Sequence, residues 1–100
     1  MLVGLSAGVQ VHPEPGVRAA IEKNLGAGDL FYPDRRLAEF ARKHGIRALM
    51  PASEMQHFAE TNRVFLHGFK NAALGSGHWN EAGHRLAAQI IARDLCANPL

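Results

Sequence analysis

Apolar positions along the chain fall into two kinds of run. Leu2-Val3-Gly4-Leu5 is short and continuous, and Ile46-Arg47-Ala48-Leu49-Met50 is a second candidate, cut by Pro51. Short continuous runs suit strands buried on both faces, as in a parallel sheet. Small residues at Ser6, Ala7 and Gly8 mark the end of the first strand, where backbone or ligand comes close. Pro13 and Pro15 exclude strand pairing beyond it.

The other runs are periodic. Val17, Ile21 and Leu25 recur every fourth residue beside Ala20, which predicts a short helix ended by Gly26 and Gly28. Pro33 and Asp34 favour the first turn of a second helix that turns Leu37, Phe40 and Ala41 inward and stops at Gly45. Ser53-Glu54-Met55-Gln56 has the spacing of a capping box, with Ser53 as cap and Gln56 reaching back. This third helix carries Met55, Phe58 and Ala59 on one side. From Arg63 to Gly77 no period is visible, yet Val64, Phe65, Leu66 and Phe69 make the segment too apolar for a solvated linker. Asn80 caps a last helix running to about Cys96, with Leu86, Ile90 and Leu95 on its buried side. Gly83 costs that helix about 1 kcal/mol relative to Ala and points either to close backbone packing there or to tolerance of a mobile site. The order strand, helix, helix, strand, helix, long loop, helix predicts an α/β fold with a parallel sheet. Two strands make a narrow sheet, so residues 1–100 read as a single, incomplete domain that needs a missing N-terminal half or a second copy of itself, as a homo-oligomer.

Composition narrows the function classes. The 100 residues are 47% hydrophobic with a formal net charge of +2, as in a globular domain. No basic run marks a nucleic-acid face, and no stretch approaches the roughly 20 apolar residues of a membrane span. The apolar N-terminus has no positive region before it, which reads as a strand and not a signal peptide, with a cytoplasmic location by default. The one cysteine, Cys96, forms no internal disulfide and suits a small buried role near the end of the last helix. The aromatic residues suit the core better than a base-stacking platform. Six histidines are present, but His78 and His84 stand six apart across a helix start, there is no HExxH spacing, and no metal or other cofactor is expected.

The segment Gly75-Ser76-Gly77-His78-Trp79-Asn80 concentrates the candidate chemistry. A histidine on a glycine-flanked loop before a helix can project into a cleft as a general base. Spacing alone favours instead a ring bonded to a loop carbonyl. His84, in the first turns of the helix, is expected to pack neutral against Trp79 or the loop. The serines are Ser6, Ser53 and Ser76. Ser53 reads as a cap, Ser76 stands too near His78 for easy in-line geometry, and Ser6 follows a strand but lacks a glycine-flanked elbow.

Gly77-His78-Trp79-Asn80-Glu81-Ala82-Gly83-His84-Arg85-Leu86-Ala87-Ala88 resembles the last block of the SGNH (GDSL-type) hydrolase superfamily, whose catalytic histidine lies just before the C-terminal helix. Gln10-Val11-His12-Pro13, Asp29-Leu30-Phe31-Tyr32-Pro33-Asp34 and Leu66-His67-Gly68-Phe69 resemble one bacterial branch of it. The resemblance covers nearly the whole chain. It implies a partial flavodoxin-like, three-layer α/β domain, hydrolysis of esters such as O-acetyl groups on sugars, and His78 as the inherited base. The family's serine lies in a Gly-Asp-Ser block, and its oxyanion hole uses that serine's amide, a glycine and an asparagine. No Gly-Asp-Ser occurs in these 100 residues. The position of the family's acid, three before the histidine, is Gly75, so only Asp29 or Asp34 brought close by folding offers a substitute. Little or no esterase activity is expected of the chain alone, with Ser6 and Ser76 the remaining candidate nucleophiles. The alternative is a non-catalytic, self-associating α/β module.

Overall fold

The computed structural model describes residues 1–100. Strand β1 (Leu2–Val3) runs parallel to β2 (Ala48–Leu49), with Leu2 opposite Ala48 and Val3 opposite Leu49. The Leu2 N–H bonds the Arg47 carbonyl at 2.8 Å and the Gly4 N–H bonds the Leu49 carbonyl at 2.9 Å. Helices α1 (Pro15–Leu25) and α2 (Tyr32–Lys43) lie between the strands in sequence; α3 (Ala52–Asn62) and α4 (Glu81–Ala97) follow. The result is a small α/β fold with four helices and a two-stranded parallel sheet. Both strands are shorter than the apolar runs that announced them, because only Leu2–Val3 and Ala48–Leu49 pair.

The helix starts follow local chemistry, with one correction. Pro15 opens α1, and Gly26, at φ 65°, closes it in the left-handed conformation. The expected capping box at Ser53 does not form. Pro51 already holds φ −79° and ψ −11° and accepts from the Met55 N–H at 2.9 Å, so α3 starts before Ser53 can cap it. Gln56 turns forward instead and donates to Glu60 Oε2 at 2.6 Å.

Asn80 caps α4 as expected, its Oδ1 accepting from the Gly83 N–H at 3.0 Å. It also ties the preceding loop to the helix: its Nδ2 donates to the Phe65 carbonyl at 2.8 Å and its N–H to the Leu66 carbonyl at 3.0 Å. Asn80→Ala removes both side-chain bonds. It is expected to cost about 1–2 kcal/mol, the loss of a good cap, read as a lower denaturant midpoint at unchanged slope.

The core lies between α3, α4 and the 63–80 segment. Val11, Met55, Ala59, Leu66, Leu86, Ala87 and Ile90 form it, and Leu49, Val64, Trp79 and Ala82 pack on its rim. Only 18 of 100 residues are buried, and the radius of gyration of 14.0 Å exceeds the roughly 13 Å usual for this length. Hence several side chains expected inside lie outside. Leu37 and Phe40 are exposed and only Ala41 of their stripe is buried. None of the seven aromatic residues is buried, and Cys96 is exposed. Leu5 and Val9 are exposed as well, and with Leu37 they line a groove beside β1 that also includes Leu30 and Pro33. No helix is long and apolar enough to cross a membrane.

Candidate active site

The chain leaves β1 in a turn that its own side chains lock. The Ala7 N–H donates to Gln10 Oε1 at 2.7 Å, and the Gln10 N–H donates to the Ala7 carbonyl at 3.0 Å. Gln10 Nε2 reaches the Leu30 carbonyl at 2.8 Å and Asp34 Oδ2 at 2.6 Å. Gln10 is buried, so these bonds anchor the turn from beneath and fix Ser6 at its start.

The 63–80 segment closes over this turn. His67 and Trp79 form an isolated antiparallel bridge. The Gly68 N–H bonds the His78 carbonyl and the Gly75 N–H bonds the His67 carbonyl, each at 3.0 Å. Gly8 meets Gly75 so closely that a Cβ on Gly8 would stand 2.0 Å from the Gly75 carbonyl oxygen. The segment without visible period is therefore ordered by backbone pairing with itself and by glycine contacts, not by helix or strand periodicity.

These contacts bring His67 to Ser6. Ser6 Oγ and His67 Nε2 are 3.0 Å apart, and His67 Nδ1 lies 2.7 Å from the Gly77 carbonyl oxygen. A carbonyl can only accept, so Nδ1 carries the imidazole proton and Nε2 accepts from the Ser6 hydroxyl. Trp79 Nε1–H donates to Ser6 Oγ at 2.7 Å. Ser6 is 8% exposed and His67 3%, and no buried side-chain nitrogen or oxygen lacks a partner. A cleft of about 330 Å³ opens beside them, lined by Leu5, Ser6, His67, His78, Trp79 and His84 among others. It lies just past the C-terminal end of β1, the end of parallel strands at which α/β folds bind ligands.

The expected site residues separate here. His78 lines the cleft and is exposed. Ser6 lines it too, but its partner is His67. Ser76 is exposed and does not line it. His84 packs edge-on against Trp79, with ring centroids 5.7 Å apart, and its Nδ1 lies 3.0 Å from the Asn80 carbonyl oxygen. No acid orients His78: Asp29 pairs with Arg35 and Asp34 accepts from Gln10. His67 was missed because its segment shows no period. The available signal was a histidine embedded in the apolar run Val64-Phe65-Leu66, where a buried ring needs hydrogen-bond partners.

The shifted carboxylates lie elsewhere, on the surface. Hydrogen bonds from Arg35, and then from the Phe31 N–H, hold Asp29 below its usual range. Glu60 is lowered by its bond from Arg18. Nowhere do three His, Cys, Asp or Glu side chains converge as a metal site requires. No known protein family, curated protein or solved structure matches the chain.

Proposed function

We propose that the chain forms the histidine-bearing side of a serine-type ester hydrolase of the SGNH kind. His78 is the general base, and the nucleophilic serine comes from polypeptide outside these 100 residues. The observation that supports this reading is the exposed residue His78 on a cleft past the C-terminal end of β1. His78 takes the proton of the incoming serine hydroxyl as its oxygen attacks the ester carbonyl, then returns it to the leaving alcohol. The substrate class is the one the resemblance implies, small esters such as O-acetyl groups on sugars.

The test combines the chain with the Gly-Asp-Ser-bearing N-terminal part of an SGNH esterase. Complex formation is followed by light scattering and turnover with p-nitrophenyl acetate. A complex whose turnover drops about 100-fold or more in His78→Ala is expected, the usual scale of general-base catalysis. The same substitution, at an exposed position, shifts stability by no more than about 0.5 kcal/mol. A complex equally active with His78→Ala sinks the reading.

A second reading is self-association through the groove of Leu5, Val9 and Leu37, three apolar side chains left exposed beside β1. Light scattering on the chain alone decides it: a dimer that Leu5→Asp dissolves supports it, and a monomer excludes it.

A further inference from the structure

We infer that Ser6 is an acyl-accepting nucleophile in its own right, with His67 as its general base. This is separate from the role given to His78 and requires no serine from elsewhere. Three features of Ser6 carry it. Its hydroxyl lies 3.0 Å from His67 Nε2, within the reach of proton transfer. The Gly77 carbonyl, 2.7 Å from Nδ1, holds the ring in the one neutral tautomer that leaves Nε2 free to accept that proton. This is the orienting task a carboxylate performs in a serine triad, done here by a backbone dipole. The third feature is the Trp79 indole N–H, which donates to Ser6 Oγ at 2.7 Å, so the hydroxyl oxygen is held in place and its own proton is turned toward His67 Nε2. A buried hydroxyl bonded to an imidazole also occurs as plain structure. Here the pair forms part of the wall of an open cleft of about 330 Å³, large enough for a small acyl ester.

The step balances within the chain and its substrate. The Ser6 hydroxyl proton passes to His67 Nε2 as Oγ bonds the ester carbonyl carbon. The tetrahedral intermediate collapses, the carbon–oxygen bond to the leaving group breaks, and the proton on Nε2 goes to the departing alkoxide or to solvent. An acyl-Ser6 remains, and a water deprotonated by His67 releases it as the free acid. The leaving group must depart readily, because the site shows no charged donor for the oxyanion. Activated aryl esters of short acids are therefore the substrate class.

The experiment exposes the purified chain to p-nitrophenyl acetate, follows p-nitrophenolate release, quenches in acid and maps acetyl groups by peptide mass spectrometry. The expected result is a burst approaching one p-nitrophenolate per chain, with the acetyl group on Ser6. His67→Gln, folded by circular dichroism, slows the burst about 100-fold, the scale of a lost general base. Ser76→Ala leaves it unchanged. Because the adduct is mapped on the unsubstituted chain, the result does not depend on a Ser6 variant that folds. Acetyl found only on lysines, on Ser76 or on a histidine ring, or a Ser6 label that forms equally fast in His67→Gln, overturns the proposal.

Discussion

Gly83→Ala is expected to destabilise the protein by about 1–3 kcal/mol, although the same change in an exposed helix stabilises it by about 1 kcal/mol. A Cβ on Gly83 would stand 2.2 Å from the Leu66 carbonyl oxygen and 3.0 Å from Trp79 Cβ. Backbone cannot rotate away as a long side chain can, so α4 and the segment at Leu66 must separate. That separation stretches the 3.0 Å bond from the Asn80 N–H to the Leu66 carbonyl and loosens Leu66, which is 1% exposed in the core. Gly83 is not among the glycines at positive φ, so contact and not backbone strain sets the penalty. Gly16→Ala in α1 is the control: nothing lies within 4 Å of the added methyl, and it should gain the helix propensity that Gly83→Ala forfeits. Thermal unfolding of both variants checks the pair, since 1 kcal/mol moves the midpoint of a domain this size by roughly 4–8 °C. A Gly83→Ala protein as stable as the parent would mean that α4 does not rest on Leu66.

Contacts of this kind separate what was legible in the sequence from what was not. The elements themselves were legible, because apolar period, the Gly26 stop and the Asn80 cap act within a few residues. Burial was less so. Period says which face of α2 is apolar, but Leu37 and Phe40 find no neighbour to cover them in a fold with two strands. The capping box at Ser53 failed for a local reason outside its own spacing, the conformation of Pro51. The cleft was half visible. His78 stood out through its flanking glycines and Ser6 through its place after a strand. The bond between Ser6 and His67 spans 61 positions and exists because Gly8 lets Gly75 approach, a tertiary contact that no spacing rule encodes.

Gly8→Ala is accordingly expected to dismantle the Ser6–His67 pair. The added Cβ would meet the Gly75 carbonyl oxygen at 2.0 Å and its carbon at 3.1 Å, with His67 Cβ 3.6 Å away. Reaching the 3.0 Å that real Cβ atoms respect requires the two backbones to part by about 1 Å. The turn holding Ser6 cannot yield easily, because Gln10 pins it to Leu30 and Asp34. The 67–80 segment yields instead, and it carries His67, the Gly77 carbonyl that fixes its tautomer, and Trp79. An opening of 1 Å turns the 3.0 Å Ser6–His67 bond into a separation of about 4 Å, beyond hydrogen-bonding range. Acetylation of Ser6 should then fall to the level of His67→Gln, with a stability loss of about 1–3 kcal/mol from overpacking. Helix α4, held by its own cap, should keep its far-ultraviolet circular dichroism. Gly8 and Gly83 press on the same segment, one at Gly75 and one at Leu66, so both substitutions should lower stability. Only Gly8→Ala acts directly where His67 meets Ser6. Equal acetylation rates in the parent and in folded Gly8→Ala would show that the reactivity of Ser6 does not depend on how closely the 67–80 segment is held.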